Sequence, residues 1–555
     1  MTTYLPTSLK VTAGATHDVD NQPPPLAPYD ASADVALLEG LRREGGEWAE
    51  PDIRRVGRLA GSEEAREWAE LANRNDPVLR THDRYGNRID EVDFHPAWHH
   101  LLRVAVAEGL GGSAWTEGRP AAHVVRFATA LVWDHTELGH ACPMAMTYAV
   151  IPALRREPAL AAQYEALLGS RVYDPGLREP TSKRGLLAGM GMTEKQGGSD
   201  VRANTTVATP AGEDGVYLLR GHKWFTSAPM CDVFLVLAQA PEGLTCFLVP
   251  RVLPDGSRNP FRIQRLKDKL GNRSNASAEP EFDGTLAWRV GAEGRGVKTI
   301  LEMVNCTRLD CISGSATLMR TSLVEAAHHV RHRRAFGTVL IDAPLMRNVL
   351  ADLALESEAA TTLTLRLAGA TDRALAGDAQ EALFRRIGTA VGKYWVTKRT
   401  PAFTAEALEC LGGNGYVEES GMPRIYREAP LNSIWEGSGN VNALDVLRAL
   451  SREPETGEAF LTELELARGA NDHLDEMITG IRQHLMAGDH VESQARRGVE
   501  IMALALQASL LVRYAPAAVS DAFCETRLGG RGGFAFGTLP PSADVDAILE
   551  RSLPV

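Results

Sequence analysis

Several things are missing from this 555-residue chain. Its seven cysteines (Cys142, Cys231, Cys246, Cys306, Cys311, Cys410, Cys524) form an odd set without a CxxC pair. That excludes a disulfide framework or a zinc ribbon and points to reduced thiols. No window reaches the ~18 uncharged apolar residues that a helical membrane span needs. The opening "MTTYLPTSLK" has no apolar leader core, so a cytoplasmic protein with no membrane partner is expected. The chain also lacks positive charge overall. Its formal charge of −12 argues against broad, passive attraction to nucleic acid or anionic lipid. We find no internal repeat.

What is present is ordinary globular material, 44% apolar and 23% charged, with length for roughly three or four domain-sized units. Residues 1–30 end in "NQPPPLAPYD", a proline-stiffened extended arm expected to lie on another surface. From about 33 the pattern is helical. "ADVALLEGLRREG", "SEEAREWAELANR" and "AAHVVRFATALVWDH" repeat apolar residues at three- and four-residue steps. Near residue 185 the texture changes to short β-rich runs separated by turn formers, among them "DVFLVLAQA" and "LTCFLVP". Long helical patterns return from about 294. The expected division is an arm and helical domain (1–184), a central β-domain (185–292), a helical bundle (293–452) and a helical extension (453–555). The fold class is mainly α with a central β-barrel or sandwich.

Within the bundle, "NSIWEGSGN" (432–440) places Glu436 between Trp435 and a Gly-Ser-Gly turn, ahead of the apolar run "VNALDVLRAL". An aromatic neighbour desolvates a carboxylate and penalises its charge. Either Glu436 is a first-turn acid favoured by a helix dipole, or it serves as a strong base. Upstream, "MTEKQGGSD" (192–200) joins the hydroxyl of Thr193 to a glycine turn whose main chain can approach a flat ring or a phosphate closely. "GHKWFTS" (221–227) ends a strand-like run with Trp224, Phe225, Thr226 and Ser227. "HHVRHRRAFG" concentrates cations at one helix end, and arginine's planar fork suits phosphate oxygens. His328 and His332, spaced i, i+4, lack a convincing third metal ligand, and no metal is expected.

Taken in order, "MTEKQGGSD", "GHKWFTS", "RRAFG" (333–337), "LGGNGY" (411–416) and "IWEGSGN" resemble the acyl-CoA dehydrogenase flavoprotein family over about residues 90–450. The first and last of these, the long arm and the ~100-residue C-terminal extension resemble its AidB-like, adaptive-response branch. The resemblance implies an N-terminal helical domain, a β-domain and a four-helix bundle, assembled as a homotetramer that binds FAD. It implies flavin contacts from Met192, Thr193, Gly198, Ser199, Trp224, Phe225, Thr226 and Ser227, with Ile434, Trp435, Gly437, Ser438 and Asn440 lining the same site. Arg333 and Phe336 with the Gly412-Gly413 turn would reach a neighbouring subunit's FAD. Glu436 becomes the base that takes the α-proton of a short or branched acyl-CoA thioester. Its backbone N–H would hold the thioester oxygen.

Three departures accompany the resemblance. Lys195 and Gln196 alter the first loop, and Pro344 stands where many members carry a flavin-contacting glutamine. Thr307 occupies the slot before Arg308 where some relatives keep their base, so Glu436 is the only candidate. The electron acceptor is left unnamed. The AidB-like branch implies a second reading, a DNA-associated flavoprotein protecting against alkylation. Residues 451–555 hold nine Arg, no Lys and sixteen Asp plus Glu, a balance of 9 − 16 = −7. Weak, sequence-independent duplex binding is therefore expected, unless folding gathers Arg496, Arg497, Arg513, Arg527 and Arg531 on one face.

Overall fold

The structure, a computed structural model, describes residue 14, residues 16–487 and residues 491–553. The first residues of the expected arm lie outside the described residues. From Asn21 the arm runs over the bundle, and it docks where the Tyr29 N–H donates to Gly61 O at 3.0 Å. A Cβ at Gly61 would collide with the Tyr29 carbonyl, so close approach of the arm requires glycine there.

Helices dominate residues 35–168, as their periodicity predicts, with Ala122–Trp133 and Ala141–Leu154 the most deeply buried. One element differs from that expectation: Val78–His82 and Arg88–Asp93 form an antiparallel hairpin. Its turn is built by Asp83, whose carboxylate accepts from the N–H groups of Tyr85 and Asn87. Buried Asp90 then accepts from Ile263 N at 2.9 Å and fastens the hairpin to the β-domain. These strands are half-exposed and short, so their alternation is submerged among flanking helical patterns.

The strands between Ala188 and Val290 make one eight-stranded sheet. Val233–Ala240, Val207–Pro210, Val216–His222, Ser277–Val290 and Gly243–Pro250 pair in a closed ring, the last strand returning to the first. Val233 to Ala238 are all fully buried, which is why that strand reads as a continuous apolar run and not as an alternation. Ser277–Val290 spans several neighbours by bulging between Asp283 and Thr285.

Gly296–His332, Pro344–Leu375, Ala379–Glu409 and Gly439–Arg452 form the bundle. The C-terminal extension is welded to it. Arg366 sits between Glu463 (2.6 Å) and Glu381 (2.8 Å), and Arg527 reaches Asp352 at 2.5 Å. Arg551 ties Glu358 of the bundle to Glu39 of the N-terminal helices. Among the described residues no helix is long and apolar enough to cross a membrane.

Candidate active site

The 192–200 loop leaves the end of strand Ala188–Gly191 and is held from beneath by an ion pair. Glu194, fully buried, accepts from Lys223 Nζ at 2.7 Å and from the N–H groups of Thr205 and Thr206. Thr193 O accepts from Trp224 N at 2.8 Å, which joins the two sequence motifs directly. A Cβ at Gly198 would collide with Thr193 Oγ1, so this turn requires glycine. Ser199 is exposed, and Met192 and Thr193 are half-buried beside it. The indole of Trp224 carries the Lys267 ammonium 3.2 Å from its ring centroid. Phe225 is exposed, whereas Thr226 is fully buried with no partner for Oγ1.

Glu436 does not behave as a helix-capping acid. The helix begins at Gly439 with Ser438 as its N-cap, and no acid lies in its first turn. Glu436 instead sits on a strained turn, at φ +55° before Gly437 at +100°. Two buried cations hold that turn. Lys393 Nζ donates to Trp435 O (2.8 Å) and Gly437 O (2.5 Å), and Arg308 Nε donates to Glu436 O at 3.0 Å. Arg308 is anchored in turn by Asp445 at 2.6 Å. Three successive carbonyls thus point at the bundle, and no acceptor among the described residues takes the Glu436 N–H. Trp435 donates through Nε1 to Asn432. Ile434 and Asn440 are exposed, and Gly437 and Ser438 half-buried.

The Glu436 Oε2 atom is enclosed and unpartnered. Burial raises this carboxyl above the usual carboxylate range, against the Thr307 hydroxyl and the Lys393 and Arg308 charges, which hold it down. Thr307 is the residue in the alternative base slot, so the two positions meet in space. The buried Cys142 thiol is pushed up to about 12 chiefly by burial, with the Glu436 charge adding to the rise and Lys269, Asn275 and Ser227 opposing it. Thr226 Oγ1, Asn275 Oδ1 and Glu436 Oε2 are each buried without a hydrogen-bond partner. An unpaired buried polar atom costs about 1–3 kcal/mol, and a bound group that pairs it removes that cost. This donor and acceptor set fits the polar edge of a flavin and a thioester. Cys142, Lys393 and Asn275 were not read from the sequence. A lysine within the buried helix stretch "AVGKYWVTK" was the one available signal, since a buried ammonium needs acceptors.

Arg333, Phe336, Gly412 and Gly413 lie elsewhere. Arg308, at the level of Glu436, and His332 are 24 residues apart on one unbroken helix, about 36 Å at 1.5 Å per residue. Arg333 caps that helix and starts a hairpin, Arg334–Ala335 against Thr338–Val339, whose turn puts fully exposed Phe336 at φ +52° and Gly337 at +82°. Gly412 and Gly413 are exposed, and a Cβ on either would meet nothing within 4 Å. The His328 and His332 rings lie 4.5 Å apart between centroids, tilted by 48°, and no metal-binding cluster occurs among the described residues.

A helical domain, a strand ring and a helical bundle that carries Glu436 define an acyl-CoA dehydrogenase fold, and sequence comparison agrees. Residues 21–175 match the adaptive response protein AidB N-terminal domain. Residues 189–285 match the acyl-CoA dehydrogenase middle domain, and 294–451 its C-terminal domain. The chain is 44% identical to AidB of Escherichia coli (strain K12) over 521 residues, covering 93% of this chain and 95% of that one. It belongs to the acyl-CoA dehydrogenase family, whose members are FAD-binding flavoproteins. Caenorhabditis elegans ACDH-11, solved in complex with C11-CoA, superposes with a TM-score of 0.82 at 26% identity, over 98% of this chain and 95% of that one. An acyl-CoA dehydrogenase from Bacillus anthracis complexed with FAD shares the fold at 18% identity, with a TM-score of 0.63 over 78% and 81% of the two chains.

Proposed function

We propose that this protein catalyses α,β-dehydrogenation of an acyl-CoA thioester of short or branched chain, with Glu436 as the base. The observation that carries this reading is the enclosed, unpaired Oε2 of Glu436, on a turn strained to φ +55° and braced by two cations. An α-proton is weakly acidic, so its acceptor needs a pKa raised toward neutrality, which burial supplies here. The unclaimed Glu436 N–H is free to receive the thioester oxygen as negative charge develops on it. Lys393 and Arg308 turn the adjoining carbonyls away and spare that oxygen their repulsion. Bound FAD supplies the acceptor for the β-hydrogen and its electron pair, leaving an enoyl thioester. Met192, Thr193, Gly198, Ser199 and Trp224 with Thr226 and Ser227 would hold FAD from the β-domain side. The thioester class draws support from the C11-CoA complex of the Caenorhabditis elegans neighbour.

Arg333, with Phe336 and the Gly412-Gly413 turn, is assigned to the FAD of a second subunit. About 36 Å of helix separates it from the Glu436 level of its own chain. Only a ribityl chain separates a flavin ring from its diphosphate, so the two residues serve different flavins. A homotetramer accommodates this exchange.

Anaerobic mixing with a panel of short, branched and longer acyl-CoAs, followed by flavin absorbance, tests the proposal. At least one short or branched thioester should bleach the flavin. A flavin that no member of the panel bleaches would rule the dehydrogenase out.

A further inference from the structure

The proline-rich arm crosses the distal half-site. Asn21, at φ +54°, uses its side-chain amide as a two-point clamp on the hairpin. Its Oδ1 accepts from Arg334 N at 2.7 Å, and its Nδ2 donates to Arg334 O at 2.9 Å. The carbonyl of the same residue accepts from Arg333 Nη1 at 2.5 Å. One residue further, Gln22 Oε1 accepts from Asn414 Nδ2 at 3.3 Å, inside the "LGGNGY" turn. Pro24 O accepts from His328 Nε2 at 2.8 Å, on the helix that leads into Arg333. Three arm residues, Asn21, Gln22 and Pro24, thus touch both halves of a site whose motifs lie about eighty positions apart in the chain.

We infer that Asn21 and Gln22 are positioning residues for FAD. They staple the Arg333 hairpin to the Gly412-Gly413 turn, so that one chain presents a formed diphosphate cradle to the flavin of a second copy. This rests on the assignment of Arg333 to a partner's flavin. Arg333 spends one nitrogen, Nη1, on the arm, while Nε and Nη2 have no partner among the described residues. A guanidinium fixed at one edge meets phosphate oxygens with its free edge already oriented, and loses less side-chain entropy on doing so. The hairpin needs such fixing. It is held by a two-residue ladder, and its turn keeps a fully exposed phenylalanine at positive φ. The glycine at 413 has neither positive φ nor a neighbour to avoid within its own chain, as expected where another molecule approaches. Proline at 23, 24 and 25 keeps the arm extended, which lowers the entropy lost in laying it down.

The test uses full-length FAD-loaded protein and three variants. Asn21→Gly keeps the positive φ and the carbonyl for Arg333 but removes the clamp on Arg334. Asn21→Gly/Gln22→Ala also frees the turn, and Arg333→Ala is the reference. FAD release is followed by flavin fluorescence on dilution, and subunit mass by light scattering. Asn21→Gly should release FAD about tenfold faster than wild type, the double variant faster still, both recovering at high added FAD. If Arg333→Ala sheds FAD while both arm variants hold it as tightly as wild type, the arm has no such role and the Arg333 assignment stands. If Arg333→Ala also retains FAD and subunits, the assignment and the inference fall together. Far-UV circular dichroism of each variant confirms that flavin loss is not unfolding.

Discussion

The two halves of the proposed site are built on opposite terms. Around Glu436 everything is internal. Two buried cations, Lys393 and Arg308, hold three carbonyls, and Asp445 holds Arg308. Around Arg333 the structure faces outward, with Phe336 fully exposed and Tyr416 and Leu345 each 83% exposed. A chain that invests in pre-organisation at one end leaves large apolar side chains in water at the other. That contrast makes sense if the outward half is finished by a second copy. Large aromatic side chains in water are costly singly and favourable once buried at an interface.

The contrast yields predictions of decreasing size. Glu436→Gln keeps the shape of the inward half and removes its proton acceptor, so FAD stays bound. Acyl-CoA-driven bleaching should fall by at least ~10²–10⁴-fold, measured by anaerobic stopped flow. The same variant should alter stability with a definite sign. Because burial raises the folded pKa of Glu436, wild type loses stability as pH climbs from the ordinary carboxylate range through that raised value. The melting temperature of Glu436→Gln relative to wild type should therefore rise over that window. A difference that is flat or falls with pH would contradict the assigned burial.

Lys393→Met is next in size. It leaves the carbonyls of Trp435 and Gly437 without their ammonium, at about 1–3 kcal/mol for each buried unpaired group. It also removes a charge that holds the Glu436 carboxyl down. The base must be ionised to act, so bleaching rises with pH through its pKa. In this variant the rising limb should move to higher pH, with Lys393→Arg intermediate. An unmoved limb would make Lys393 structural only.

The smallest effect concerns duplex DNA. The arginines that could have formed a basic face in residues 451–555 are largely spoken for. Arg513 pairs with Glu463, Arg527 with Asp352 and Arg531 with Glu525. Arg496 and Arg497 are exposed, but two cations release few counterions. Fluorescence anisotropy should show weak duplex binding that vanishes by ~150 mM salt. Tight binding that survives that salt would favour the DNA-associated alternative.

Much of the inward half was legible. Helical and strand periodicity gave the layers, and glycine and hydroxyl placement gave the loop at 192–200. What was hidden depended on tertiary convergence. Cys142 sits in an apolar helix with nothing local to mark it, yet its thiol responds to the Glu436 and Lys269 charges from distant parts of the chain. The Val78–Asp93 hairpin was hidden because its two short strands are held to the β-domain by contacts distant in sequence, Asp90 with Ile263 and Arg251, Arg88 with Ile263 and Glu91 with Arg258. The path of the arm was legible only as stiffness, since proline content predicts an extended course and not its destination.

The central claim is that Glu436 and Arg333 serve one flavin only when they come from different chains, and subunit mixing tests it most directly. Glu436→Gln and Arg333→Ala proteins, each deficient alone, are dissociated, mixed, reassembled with FAD and assayed for acyl-CoA-driven bleaching. In a mixed pair one interface inherits both defects and the other inherits none, so activity should reappear well above the sum of the parents. If both residues act within one chain, no mixed pair contains an intact site. Activity that stays at the parental sum would contradict the account.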